Sequence, residues 1–222
     1  MRDLEDYEFL LKRRFLGIKI YNQPWFGSST ATDWFLDTIK NTDRYLEFGT
    51  GGSTYTAAKF GVEFVAVDSD REFLDAVEKK ITDEGFADPM RQTFVHADIG
   101  KTGGRGRPLH WKTADSERLD AFRRYSDPPA QSLAGGKTPD FVLVDGRFRV
   151  ACALKALRML HGRDGWTLAV DDYARRRKYH VITEFAEPDE YVADRIAVFH
   201  STTSFSADEL DRRIREFEVL PD

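Results

Sequence analysis

Tyr45-Leu46-Glu47-Phe48-Gly49-Thr50-Gly51-Gly52-Ser53-Thr54 is the stretch that decides how this chain folds. Its first four residues have the composition of a buried strand. The glycines after them stand where the backbone must turn sharply into a helix. Lacking a Cβ, they also let a ligand approach the main chain. A short helix is predicted over residues 54–60, closed by Gly61. Asp68 follows Gly49 by nineteen residues, at the end of a second predicted strand, 63–67.

The same alternation continues outward. Strands are predicted over 93–97, 141–144, 166–170 and 196–200. Helices are predicted over 72–84, 116–125, 150–160 and 179–185, with a last one to about 217 opened by a capping box, Ser206-Ala207-Asp208-Glu209. Upstream, Ser28–Thr30 can cap a helix over 31–39, and residues 4–15 are a weaker candidate. This is the pattern of an α/β, Rossmann-like, doubly wound and mostly parallel sheet with helices on both faces. We read 1–222 as one domain, an N-terminal helical cap over 1–42 and a core over 43–222. The stretch from Asp98 to Asp140 is long for a crossover, which suggests an ordered loop near the mouth of a site.

Composition narrows the field. In 222 residues, 41% are hydrophobic and 32% charged, ordinary for a water-borne globular protein. A net charge of −5 gives no basic face for nucleic acid, so no nucleic-acid partner is expected. The single cysteine, Cys152, lies in an apolar helix stripe and reads as a small buried hydrophobe. With no internal disulfide available, a charged N-terminus and no apolar run of membrane-spanning length, a cytoplasmic location without a membrane partner is expected.

In sheets of this kind ligands bind beyond the strand C-termini. The residues there are Gly49, Asp68, Asp98, Asp145, and Asp171 with Asp172. A carboxylate at Asp68 can accept from both hydroxyls of a ribose. Two cofactor classes use such geometry, dinucleotides and S-adenosylmethionine. The dinucleotide fingerprint needs a third glycine where Thr54 stands. An acid at Glu47 also suits the positive amino-acid end of S-adenosylmethionine better than a diphosphate.

Residues 45–70, 93–99, 140–154 and 166–173 together resemble the class I S-adenosylmethionine-dependent methyltransferases, especially bacterial members with similar segments. The shared segments are Glu47–Thr54, Asp98-Ile99-Gly100, Val144–Cys152, Asp171-Asp172-Tyr173 and Tyr179-His180. The resemblance implies that Glu47, Gly49 and Gly51, with Thr50 and Ser53, surround the methionine end of the cofactor. It implies that Asp68 holds the ribose and that Asp98 and Ile99 flank the adenine; Ser69 and Asp145 are further cofactor-binding candidates. Asp98 can equally be a turn residue, and Ser53 and Thr54 are good helix openers without any ligand.

Methyl transfer to an oxygen calls for a base or a Lewis acid opposite the methyl group. Asp145, Asp171 and Asp172 are available there, and three converging carboxylates repel one another unless a cation lies between them. Oxygen-only ligands suit Mg²⁺, Mn²⁺ or Ca²⁺. The arrangement is similar to metal-dependent O-methyltransferases of the catechol and macrolide-sugar types, which makes these three the candidate metal ligands. Asp145, Asp172 and His180 are the catalytic candidates; without a metal, Asp172 would cap the following helix, Asp145 alone would contact substrate and His180 would be the general base. Arg147 or Arg149 could grip an anionic substrate group, and Tyr173 could line the pocket. Trp25, Phe26 and Trp34 could stack on a sugar or ring, or could pack the N-terminal helix onto the sheet.

The expected function is O-methylation of a small molecule or glycan hydroxyl. An inactive S-adenosylmethionine-binding sensor or scaffold is the alternative, and a nicotinamide-dependent oxidoreductase is a third. Oligomeric state does not follow from the residues.

Overall fold

A computed structural model describes residue 13 and residues 17–127 and 136–221. Seven strands form one sheet in the order β3-β2-β1-β4-β5-β7-β6. They are β1 (Arg44–Phe48), β2 (Glu63–Asp68), β3 (Gln92–His96), β4 (Phe141–Val144), β5 (Thr167–Val170), β6 (Glu190–Val192) and β7 (Ile196–Phe199). The first five pair in parallel, whereas β7 lies antiparallel to both β5 and β6. This order departs from the 3-2-1-4-5-6 sheet of the dinucleotide folds at β6 and β7.

Period-two alternation along each strand divides the core in two. Leu46, Phe48, Val142, Val144, Leu168 and Val170 face one layer. That layer contains α5 (Arg149–Leu160) and α6 (Ala207–Phe217). Tyr45, Phe64, Ala66, Phe141 and Leu143 face the other. There they meet α1 (Ser29–Lys40), α2 (Gly52–Lys59) and α3 (Arg71–Asp83). The central strands are buried on both sides, as parallel strands are.

Most helix signals act locally. The Ser28 hydroxyl accepts from the Ala31 N–H and Asp70 from the Phe73 N–H, so α1 and α3 begin where their caps stand. The helix α4 (Ser116–Tyr125) fills part of the long crossover, capped by Asp115.

Three expectations change. The Ser206 side chain makes no cap bond, so the capping box does not form, and α6 is held by burial of Leu210 and Ile214. The helix expected over 179–185 is a 3₁₀ run, Arg177–Glu184, preceded by a 3₁₀ turn at Tyr173–Arg175. Val181, Ile182 and Thr183 are successive β-branched residues of low helix propensity, and Tyr179 and Ile182, three apart, are the residues that run buries. Strand β6 was not foreseen, because only its last residue is buried and no alternation marks it. The candidate helix over 4–15 lies outside the described residues, apart from Arg13.

Candidate functional site

The glycine loop joins β1 to α2 at the C-terminal edge of the sheet. Gly49 has φ +98°, and a Cβ there would come within 2.6 Å of the Gly146 main chain. The loops after β1 and β4 therefore touch through glycine alone. The Thr50 N–H and hydroxyl both donate to one oxygen of Asp68, at 2.9 and 2.8 Å. The other Asp68 oxygen accepts from the Asp70 N–H at 2.9 Å, which leaves it a lone pair for a further donor. Burial raises the Asp68 carboxyl above its usual range, opposed by these same hydrogen bonds.

Glu47 behaves differently from its expected role. It shares a strand face with Tyr45 and points beneath α2, where it is wholly buried. The Ser53 hydroxyl donates to one of its oxygens, and Thr54 donates to the other at 2.6 Å. Thr54 in turn accepts from the Gly51 N–H at 3.0 Å. Desolvation pushes the Glu47 carboxyl up to about 7, against the pull of the two hydroxyls. Glu47 and Ser53 thus shape the loop from below and do not line the cleft. The inference from Glu47 to a positively charged ligand loses its geometric basis.

A cleft of about 430 Å³ opens on this edge, within the usual range for small-molecule sites. Gly49, Thr50, Asp68 and Ser69 line one end, with Phe73 and Trp25. Trp25 is 70% exposed at its lip, whereas Phe26 is buried in the core and Trp34 packs edge-on against Phe141. The segment carrying Trp25 is pinned over the loop, since a Cβ on Gly52 would meet the Gln23 carbonyl at 2.3 Å. Asp98 is exposed, caps the Gly100 N–H at 2.9 Å and borders a separate surface hollow. Ile99 is buried in the core. Neither is among the cleft's lining residues, so Asp98 has the turn role.

Asp145, Asp171 and Asp172 do come together at the opposite end, but around guanidinium groups. Arg149 reaches Asp145 at 2.9 Å, Asp171 at 3.4 Å and Asp172 at 3.3 Å. Arg195 holds Asp171 through two bonds of 2.6 and 2.7 Å and Asp172 at 2.8 Å. Arg176 adds a contact to Asp172 at 2.9 Å. The cation demanded by three carboxylates is supplied by arginine, and the residues do not fit a divalent metal. Among the described residues no group of three or more His, Cys, Asp and Glu side chains could hold one. Desolvation, with Asp171 and Asp172 nearby, raises the Asp145 carboxyl despite Arg149. Asp171 is lowered: the Arg195 and Asp145 hydrogen bonds outweigh the larger opposing effect of burial.

His180 lies outside the cleft lining, solvent-exposed and stacked on Tyr173 at 5.1 Å between ring centroids. Tyr173 is buried and does not line the cleft either. The general-base role foreseen for His180 has no geometry behind it. Sequence reasoning missed Tyr125, whose hydroxyl accepts from the Arg147 N–H at 3.1 Å and lies where a Gly146 Cβ would be, 2.2 Å away. Its only signal was a position at the end of α4. Arg149, named as a possible anion grip, instead opens α5 and turns back onto Asp145.

No protein-family model matches the chain, and no curated protein matches it. Solved structures do. A methyltransferase-like protein from Silicibacter pomeroyi is 28% identical with a TM-score of 0.72, over 89% of this chain and 99% of that one. A methyltransferase from Podospora anserina, solved with S-adenosylhomocysteine bound, is 14% identical with a TM-score of 0.51, over 90% and 87%. A cofactor-bound protein from MTB is 16% identical with a TM-score of 0.51, over 88% and 95%. The last two share the fold. Sheet order and these structural neighbours agree, and the chain has the fold of the class I S-adenosylmethionine-dependent methyltransferases.

Proposed function

We propose that the protein transfers a methyl group from S-adenosylmethionine to a hydroxyl of a small molecule. The observation that carries this is the placement of two chemically different ends in one cleft. Asp68 has acceptor capacity left at one end, and the Asp145 carboxyl, held by Arg149 at 2.9 Å, stands at the other. When bound, S-adenosylmethionine supplies an electrophilic methyl on a sulfonium. The chain's own residues bind, orient and manage a proton. Gly49 and Thr50 bring main chain close to the ligand, and Asp68 accepts from its ribose. Asp145, once deprotonated, can take the proton of the acceptor hydroxyl.

Calorimetry with S-adenosylhomocysteine and NAD tests the reading. Micromolar binding of the first and none of the second is expected. The converse would remove it. A binding protein without turnover is the second reading, favoured by the engagement of all three aspartates with guanidiniums. Slow cofactor turnover that vanishes in Asp145→Asn would exclude it.

A further inference from the structure

The acceptor end of the cleft carries more guanidinium than carboxylate. Arg147, Arg149, Arg176 and Arg195 line it, against Asp145, Asp171 and Asp172. Arg149 and Arg195 are consumed by bridging these three. Arg176 uses one nitrogen on Asp172 and rests over the Tyr179 ring, leaving donors free.

Arg147 is different. Among the described residues its side chain has no carboxylate partner, and its Nε is buried with no hydrogen-bond acceptor. A buried guanidinium N–H without a partner is unfavourable, so its retention in a cleft needs an explanation from what enters the cleft.

The backbone around Arg147 is held firmly. Its N–H donates to Tyr125, its carbonyl accepts from Cys152, and Gly146 is wedged between Tyr125 and the glycine loop. Phe148, next in sequence, is buried at φ +51°, a left-handed conformation that bulky residues seldom adopt. The guanidinium therefore projects from an anchored turn, as a site that must fix an orientation requires.

We infer that Arg147, assisted by Arg176, receives an oxyanion of the methyl acceptor, so that the substrate is an acidic small molecule bearing a carboxylate or a phosphate. A planar guanidinium fork matches both groups. The inference rests on the methyl-transfer reading. The carboxylate at the methionine end of the cofactor is the other source of the same chemistry, and the test separates the two.

Inorganic phosphate and benzoate are titrated calorimetrically into the protein, with and without saturating S-adenosylhomocysteine. At least one is expected to bind, with Kd weakened tenfold or more in Arg147→Met and about threefold in Arg176→Gln. Arg147→Lys, which keeps the charge and loses the fork, should fall between wild type and Arg147→Met. It also carries the test if the methionine variant fails to fold. Affinity for S-adenosylhomocysteine should stay within twofold in every variant.

A tenfold loss of S-adenosylhomocysteine binding in Arg147→Met, with the oxyanions unaffected, would assign the guanidinium to the cofactor and overturn the inference. Absence of oxyanion binding, or binding indifferent to Arg147, would overturn it while leaving the cofactor site intact. Failure of wild type to bind S-adenosylhomocysteine would instead remove the methyltransferase reading, and the titrations without it would still decide whether Arg147 takes an anion.

Discussion

The two ends of the cleft are built in opposite ways. At the glycine-loop end Glu47 and Asp68 are met by uncharged hydroxyl and main-chain donors. Glu47 is met by Ser53 and Thr54, Asp68 by Thr50 and Asp70, and Asp70 by Phe73. At the acceptor end, Asp171 is held by Arg149 and Arg195, which lie 22 and 24 residues away. Those three residues come from the end of β5, the start of α5 and the turn between β6 and β7. Glu47 and Asp68 have neutral donors for partners, whereas Asp145, Asp171 and Asp172 are compensated by guanidiniums. Most donors at the first end lie in the glycine loop itself, whereas Arg195 reaches the second from the turn between β6 and β7.

The largest expected effect comes from opening the charge network. Asp171 is fully buried, and Asp171→Ala removes two hydrogen bonds from Arg195 and one from Arg149. The expected cost is about 3–5 kcal/mol in urea denaturation. A loss under about 1 kcal/mol would show that the network is not a structural unit.

Glu47 gives the matching perturbation at the other end. Its folded carboxyl holds a proton up to about 7, against 4.5 for the unexchanged group. Between these values the folded state binds the extra proton, so this contribution is present below pH 4.5 and is lost as pH rises through 7. The full loss is ~3 kcal/mol. Glu47→Gln should remove that slope, seen as a wild-type-minus-variant difference in denaturation midpoints between pH 4.5 and 8. Equal slopes in both proteins would show that Glu47 ionises normally. The smallest effect is expected at Asp98, whose cap on Gly100 is exposed. Asp98→Ala should cost about 0.5–1 kcal/mol and change S-adenosylhomocysteine affinity less than twofold, by calorimetry. A tenfold loss of affinity would return Asp98 to the cofactor site.

Much of the fold was legible because its signals are local. Strand β4 and helix α4 fall at the residues expected, since apolar runs, caps and helix-closing glycines act over a few residues. The 3₁₀ run at Arg177–Glu184 and the edge strand β6 escaped because tertiary packing sets them. In the site, strand ends identified Asp68, Asp145, Asp171 and Asp172 as a set. What the strands could not reveal was which way each side chain turns or which cation answers it. Glu47 was assigned to the cleft although strand alternation sends it under α2 with Tyr45. The need for a cation among three aspartates was correctly seen, but a metal was expected where Arg149 and Arg195 stand. Arg195 lies after β6, the strand that was missed, so its approach could not have been read.

The central claim is that Asp68, beside the glycine loop, holds the ribose of an S-adenosylmethionine-type cofactor. Titration of S-adenosylhomocysteine into wild type and Asp68→Ala tests it most directly. The account predicts binding to wild type and a loss of affinity of about tenfold to a hundredfold in the variant, as expected when a charged hydrogen-bond acceptor is removed. Equal affinity in the two proteins, or no binding to wild type, would contradict it.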